Sequence, residues 1–193
     1  AIPAGFVKGV PSLGYYRQGT HDIVPTAFCN IQKEENNELL RFAAEFIRKH
    51  SISCYNEKTG KGSLRHVMGR VGDDGKLTAT RDLPCEEEWV REMTEALPFV
   101  VSIYHNVQDR KGNVILGKTI RKIYGSDTLK ASIGALQFEV SPYSFFQVHK
   151  EQAEVLYSKA LEFAQLTGKE TVIDAYCGTG TISLYLAQKA KHV

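Results

Sequence analysis

The residues best placed to do chemistry lie near the end of the sequence. Val172 and Ile173 are strand-forming, Asp174-Ala175-Tyr176-Cys177-Gly178-Thr179-Gly180 reads as a turn, and Thr181-Ile182-Ser183-Leu184 opens a helix. Glycines let a backbone turn tightly and approach a ligand closely. A helix start offers unpaired N–H groups and partial positive charge. The spacing is G-x-G rather than G-x-G-x-x-G, so the glycines alone also suit an ordinary turn between strand and helix. Asp174 sharpens the picture, because an acid at the strand end can order the loop. In dinucleotide-type sites a second acid grips ribose hydroxyls about 20 residues further on. From Asp174 that position falls just past Val193, so the chain is expected to be a piece cut from a longer protein.

Other reactive side chains are scattered. Cys29, Cys54, Cys85 and Cys177 form no C-x-x-C pair, and a reduced, cytoplasmic setting is the simpler expectation. Cys177 sits inside the glycine turn and reads as a small turn residue. His149 has no partner in the sequence and reads as a solvent-side or helix-capping residue. Tyr15, Tyr16 and Arg17 suit either a solvated hairpin or an RNA-facing surface, since aromatics and arginine stack on unpaired bases.

The elements that must position these residues follow from periodicity. Residues 1–31, rich in Gly, Pro and aromatics, predict short strands and turns. Residues 36–50 predict an amphipathic helix with Leu39, Leu40, Ala43, Phe46 and Ile47 on one face and Asn36 or Asn37 as its cap. A glycine-rich turn should lead into a strand around Leu64-Arg65-His66-Val67, with a turn and a second strand in Asp73–Arg81. Trp89, Val90, Met93 and Leu97 mark a short helix with acids in its first turn. Phe99–Gln108 predicts an alternating strand, Gly112–Gly125 a strand, and Ala131–Ser141 another. His149–Gly168 predicts a long helix whose buried stripe is Ala153, Leu156, Ala160, Phe163 and Ala164, capped by Gly168. The pattern changes near residue 140. Before it, strands against two helices make an α+β unit. After it comes the opening of a parallel α/β domain, and one βα unit cannot bury both faces of a parallel strand.

The sequence has 193 residues, 42% hydrophobic and 24% charged, with a net charge of +2. That is ordinary for a globular chain and neither demands nor excludes nucleic acid, because a basic face can hide in a balanced total. No apolar run approaches the ~20 residues of a membrane span, and the N-terminus has no signal-peptide pattern.

Three segments together carry a family resemblance. Asp174-x-x-Cys177-Gly178-x-Gly180 resembles the first motif of S-adenosylmethionine-dependent methyltransferases, where the acid can also hold the cofactor's ammonium group. With Ser141-Pro142-Tyr143-Ser144-Phe145-Phe146-Gln147-Val148 before it, and the helix containing Glu151-Gln152-Ala153-Glu154 between, the chain resembles the RNA (uracil-5)-methyltransferases, closest to the bacterial members that make 5-methyluridine in 23S ribosomal RNA. Asn113-Val114-Ile115-Leu116-Gly117, Leu64–Val67 and Arg17–Gln32 are similar too.

The resemblance implies an α+β central domain over residues 1–140 that contacts RNA, followed over 141–193 by the incomplete start of a Rossmann-like α/β methyltransferase domain. It implies cofactor contacts at Gln147, Asp174, Tyr176, Gly178, Gly180 and Thr181. Phe145 and Phe146 could line a base pocket, with core packing the plainer role for at least one. His149 stands where members commonly have Asn. The nucleophilic cysteine, which adds to carbon 6 of uracil, and the glutamate that removes the carbon 5 proton are expected after residue 193, so this stretch should be inactive alone. Cys29 resembles the fourth ligand of an iron–sulfur cluster that some members carry. One cysteine cannot hold a cluster, so none is expected here. The implied partner is 23S ribosomal RNA, with no membrane and no obligate protein partner. A non-catalytic RNA-binding module, or a methyltransferase on another substrate, are the alternatives.

Overall fold

The computed structural model describes residues 1–193 except 74, 75, 81, 82, 109, 111 and 113, and gives backbone only for 76–80. Two compact units result, Ala1–Asp127 and Thr128–Val193. The boundary therefore precedes the pattern change near residue 140. The Leu129–Val140 segment joins the second unit because its Ala131, Ile133, Phe138 and Val140 share a core with Phe146, Ala153 and Tyr157.

The first unit is mixed α+β. Its strands are β1 (Ile2–Val7), β2 (Val10–Tyr16), β3 (Ile23–Pro25), β4 (His66–Val71), β5 (Lys76–Thr80), β6 (Val100–Val107) and β7 (Thr119–Gly125), and its helices α1 (Glu34–Lys49) and α2 (Glu86–Ala96). They form a seven-stranded sheet in the order β3-β2-β1-β4-β5-β6-β7. Pairing is antiparallel except between β5 and β6. That parallel pair needs a crossover, and α2 supplies it. Leu39, Leu40, Ala43, Phe46 and Ile47 of α1 join Trp89 and Met93 of α2 and Ala4, Leu13, Val67 and Ile103 of the sheet in one core. Trp89 packs edge-on against Phe42 and Phe46, with ring centres 5.5 and 4.9 Å away.

Three expectations are corrected here. Lys33, not Asn36 or Asn37, precedes the first turn of α1 and makes no side-chain cap. Asn37 is buried instead, where its Oδ1 accepts from the Cys29 N–H at 2.9 Å and from Gln32 at 2.8 Å. Of the strand expected over 112–125, only Thr119–Gly125 forms. The Val114–Lys118 stretch is held off the ladder by side chains: Asn106 accepts from the Gly117 N–H at 2.8 Å, and Gln108 donates to the Val114 carbonyl at 2.8 Å. Local side-chain bonds of this kind compete with strand pairing. Asn113, from the same segment, and Asp74, Gly75 and Arg81 lie outside the described residues. Finally, β6 does not alternate: Ile103 is buried in the helix-covered core, and Tyr104 on the opposite face packs against Met68 and Ile120.

In the second unit, β8 (Leu129–Ile133) and β9 (Leu136–Val140) form a hairpin where one strand was expected, turning at Gly134-Ala135. Helix α3 (Lys150–Ala164) buries Ala153 and Tyr157, while Leu156, Phe163 and Ala164 of the expected stripe are exposed. Its C-cap is Gln165, at φ 47°, rather than Gly168. Beyond it, the Glu170 carboxylate accepts from the Thr167 hydroxyl at 2.6 Å and its N–H at 2.9 Å. These bonds hold the acid down at about 2. Thr171 makes a parallel bridge with His192, and helix α4 (Thr181–Leu186) lies between them. The strand expected at Val172-Ile173 is reduced to that bridge. A parallel strand needs neighbours to define it, and Ile173 is 86% exposed. No helix among the described residues is long and apolar enough to cross a membrane.

Candidate functional site

The glycine turn runs from the Thr171 bridge to α4. Gly178 and Gly180 take φ of 55° and 73°, the left-handed region where a side chain is costly. Gly180 caps α4 and donates to the Cys177 carbonyl at 2.7 Å. Asp174 organises the whole turn. One carboxylate oxygen accepts from the Tyr176 N–H at 3.2 Å, the other from the Ser183 hydroxyl at 2.6 Å. The first bond closes an Asx turn and the second ties the acid to the following helix. Each oxygen retains a lone pair for a further donor.

The Ser141–Val148 segment is drawn to this turn. Thr179 donates from its hydroxyl to the Phe145 carbonyl at 3.3 Å. Ser141 and Ser144 share a hydroxyl bond of 2.8 Å, which tightens the segment's own turn. Phe146 is buried, with its ring centre 5.5 Å from that of Phe138. Phe145 is 75% exposed. The pair thus divides into one core residue and one surface residue. Gln147 follows them, half-buried. His149 caps α3, its Nδ1 accepting from the Gln152 N–H at 3.3 Å, as expected of a capping residue.

Thr181 is fixed from α3, its hydroxyl 3.0 Å from that of Tyr157. Tyr185 meets Ser158 in the same way at 2.8 Å. Tyr176 is 97% exposed at the tip of the turn, and Cys177 is exposed beside it. Of the expected residues, Asp174, Tyr176, Gly178, Gly180 and Thr181 share one turn, and the Gln147 segment is bonded to it. Ser183, Tyr157 and Thr179 are supporting residues that the sequence did not single out. Ser183 was visible only as a hydroxyl in the first turn of a helix. Tyr157 lay outside the expected buried stripe of α3.

Among the described residues no group of three or more His, Cys, Asp or Glu is placed to hold a metal ion. Cys29 is partly exposed, its backbone held by Asn37.

The arrangement suits a ligand that carries an ammonium group. Space is open around Gly178 and Gly180 where a side chain would stand, so the backbone can be approached. Asp174 offers a carboxylate to an ammonium, Gln147 an amide, and Tyr176 an aromatic face.

No family model matches the chain. The chain is 47% identical over 198 residues to an uncharacterized RNA methyltransferase of Bacillus cereus, 45% to one of Clostridium tetani and 44% over 199 residues to one of Oceanobacillus iheyensis. Each alignment covers 100% of this chain but 43% of the relative, so the chain spans less than half the length of the curated relatives it matches. It is also similar to the crystal structure of Pyrococcus abyssi tRNA (uracil-54, C5)-methyltransferase in complex with S-adenosyl-L-homocysteine. The TM-score is 0.74 at 26% identity, covering 92% of this chain and 43% of that one. The chain is a partial homologue of RNA methyltransferases.

Proposed function

We propose that the chain is part of an S-adenosylmethionine-dependent RNA (uracil-5)-methyltransferase that forms 5-methyluridine in 23S ribosomal RNA. The observation that carries this is the Thr179–Phe145 bond. It ties the two motifs of the resemblance, far apart in sequence, into one turn-and-segment site, and the similarity to RNA methyltransferases along the whole chain supports it. Residues 141–193 would be the start of a Rossmann-like domain, with the Thr171–His192 bridge as its first parallel contact. Asp174, Gln147, Tyr176, Gly178, Gly180 and Thr181 would hold the cofactor, which supplies a methyl group activated by a sulfonium. This chain's share of the work is binding: Asp174 sets the turn, Ser183 and Tyr157 hold it, and Tyr176 presents its ring.

The nucleophilic cysteine and the general base belong to the remainder of the longer protein, and Cys177 is not the nucleophile. This stretch alone is therefore inactive. A tRNA substrate is the second reading, favoured by the likeness to the tRNA (uracil-54, C5)-methyltransferase. The deciding experiment is methyl transfer from labelled S-adenosylmethionine to unmodified 23S ribosomal RNA and to a tRNA transcript, with this chain run beside the longer protein. Label at uracil carbon 5 of the ribosomal RNA with the longer protein alone supports the proposal. Label on tRNA only moves the substrate. Label from this chain alone would bring Cys177 back as a nucleophile, and label from neither would favour a non-catalytic RNA-binding module.

A further inference from the structure

The sheet face opposite α1 and α2 carries a groove that methyl transfer does not use. Strand alternation decides which side chains reach it. Leu13 and Val67 point into the helix-covered core, so Tyr16 on β2 and His66 on β4 point away from it. Two adjoining hollows, of about 900 and 400 Å³, share Tyr16, His21, Glu57 and Gly112 in their walls. Exposed Lys8 and Lys58 line the larger, and Arg65 and His66 the smaller. Each is within the size range of ordinary ligand sites.

The floor is built and rigid. Arg65 is 3% exposed. It forks onto Glu57 at 2.9 and 3.0 Å, donates to the Arg110 and Gly112 carbonyls at 3.0 and 2.6 Å, and lies 4.9 Å from the Tyr55 ring centre. Its charge is thus matched by Glu57, so the floor is polar without being an anion trap. Above it, Tyr16 and His21 meet edge to face at 5.1 Å. Among the described residues, the ammonium side chains of the walls are the exposed Lys8 and Lys58, and Asp22 adds a carboxylate. Aromatic surface inside and ammonium groups outside is the combination that takes a flat base inward and leaves its phosphates at the mouth.

We propose that this groove binds one unpaired nucleotide of an RNA strand, with its base against Tyr16 and His21 and its phosphates at Lys8 and Lys58. The choice of RNA over another ligand rests on the RNA methyltransferase reading. His66 supports a neutral wall: burial, with the Arg65 charge, pushes its imidazole down to about 4.

The test is fluorescence polarisation of a labelled single-stranded oligouridylate with this chain, together with ultraviolet crosslinking mapped by mass spectrometry. Tyr16→Ala should weaken binding about tenfold, and His21→Ala, at an exposed position, should also weaken it, whereas Tyr16→Phe keeps the ring and should bind as the parent does. Replacing Lys8 and Lys58 with Ala should flatten the salt dependence by about 1.4 in log–log slope, roughly 0.7 per phosphate contact. A merely structural role would not move that slope. Crosslinks should fall in 16–21 and 55–58. Unchanged affinity and slope with crosslinks elsewhere would overturn the groove and leave an RNA partner standing. No RNA binding at all would overturn the groove and remove the RNA-contacting role of the first unit. Groove binding intact in a longer protein that transfers no methyl group would keep the groove and sink the transferase reading.

Discussion

At the residue scale, Asp174 has the most to lose. Both its oxygens are engaged within the turn, and hydrogen bonds to a charged acceptor contribute about 1.5–3 kcal/mol each. Asp174→Ala should raise hydrogen exchange at the Tyr176 amide by about tenfold or more, and Ser183→Ala should raise it less, since the Asx turn survives. Equal exchange in all three proteins would mean that the turn is held by its glycines alone. The cysteines divide just as sharply. Cys54 is 1% exposed, and burial pushes its thiol up to about 11. Iodoacetamide should therefore label exposed Cys85 and Cys177 in the folded protein and reach Cys54 only after unfolding. His66 sets a pH limit. Folded, it takes a proton only near pH 4, against about 6.5 when unfolded. Between those values the unfolded chain binds more protons, so stability is lost as pH falls from 6.5 to 4. The loss is on the order of 3 kcal/mol. Urea titrations of the parent and His66→Gln across that range should show a shallower loss in the variant.

At the element scale, α2 is held to α1 by Trp89. The side chain is fully buried between Phe42 and Phe46, yet its Nε1 meets no acceptor among the described residues. Trp89→Ala should cost about 3–5 kcal/mol. Trp89→Phe keeps the edge-on aromatic contact and sheds the unpaired N–H, so its cost should be much smaller. Urea unfolding followed by circular dichroism separates the two. Helix α3 shows the opposite condition. Its period was plain in the sequence, but its C-cap and buried face were not. Tyr157 is drawn inward by Thr181 and Tyr185, and Leu156 and Phe163 face outward.

At the scale of the molecule, the two units differ in what they enclose. The first has a core spanning both helices and the sheet, whereas the second buries eight hydrophobic residues and leaves Val148, Phe163, Ile173 and Tyr176 exposed. Residues 1–127 expressed alone should unfold cooperatively, with buried emission from Trp89, the one tryptophan. Residues 128–193 alone should melt broadly, because so small a core rarely offsets chain entropy. A sharp transition from the second piece would show that its packing suffices.

The sequence by itself determined the three long helices, the turn at Asp174–Gly180 and the core packing of at least one of Phe145 and Phe146, without saying which. Each is local: helical period, glycine backbone freedom and the apolar character of neighbouring residues act within a few positions. Only the tertiary structure decided that the Leu129–Val140 hairpin joins the second unit, that Asn106 and Gln108 hold Val114–Lys118 off β7, and that Thr179 and Tyr157 brace the turn. Those outcomes depend on partners far away in sequence. A hydroxyl or amide at one position carries no mark of which distant backbone group it will meet once the chain has closed.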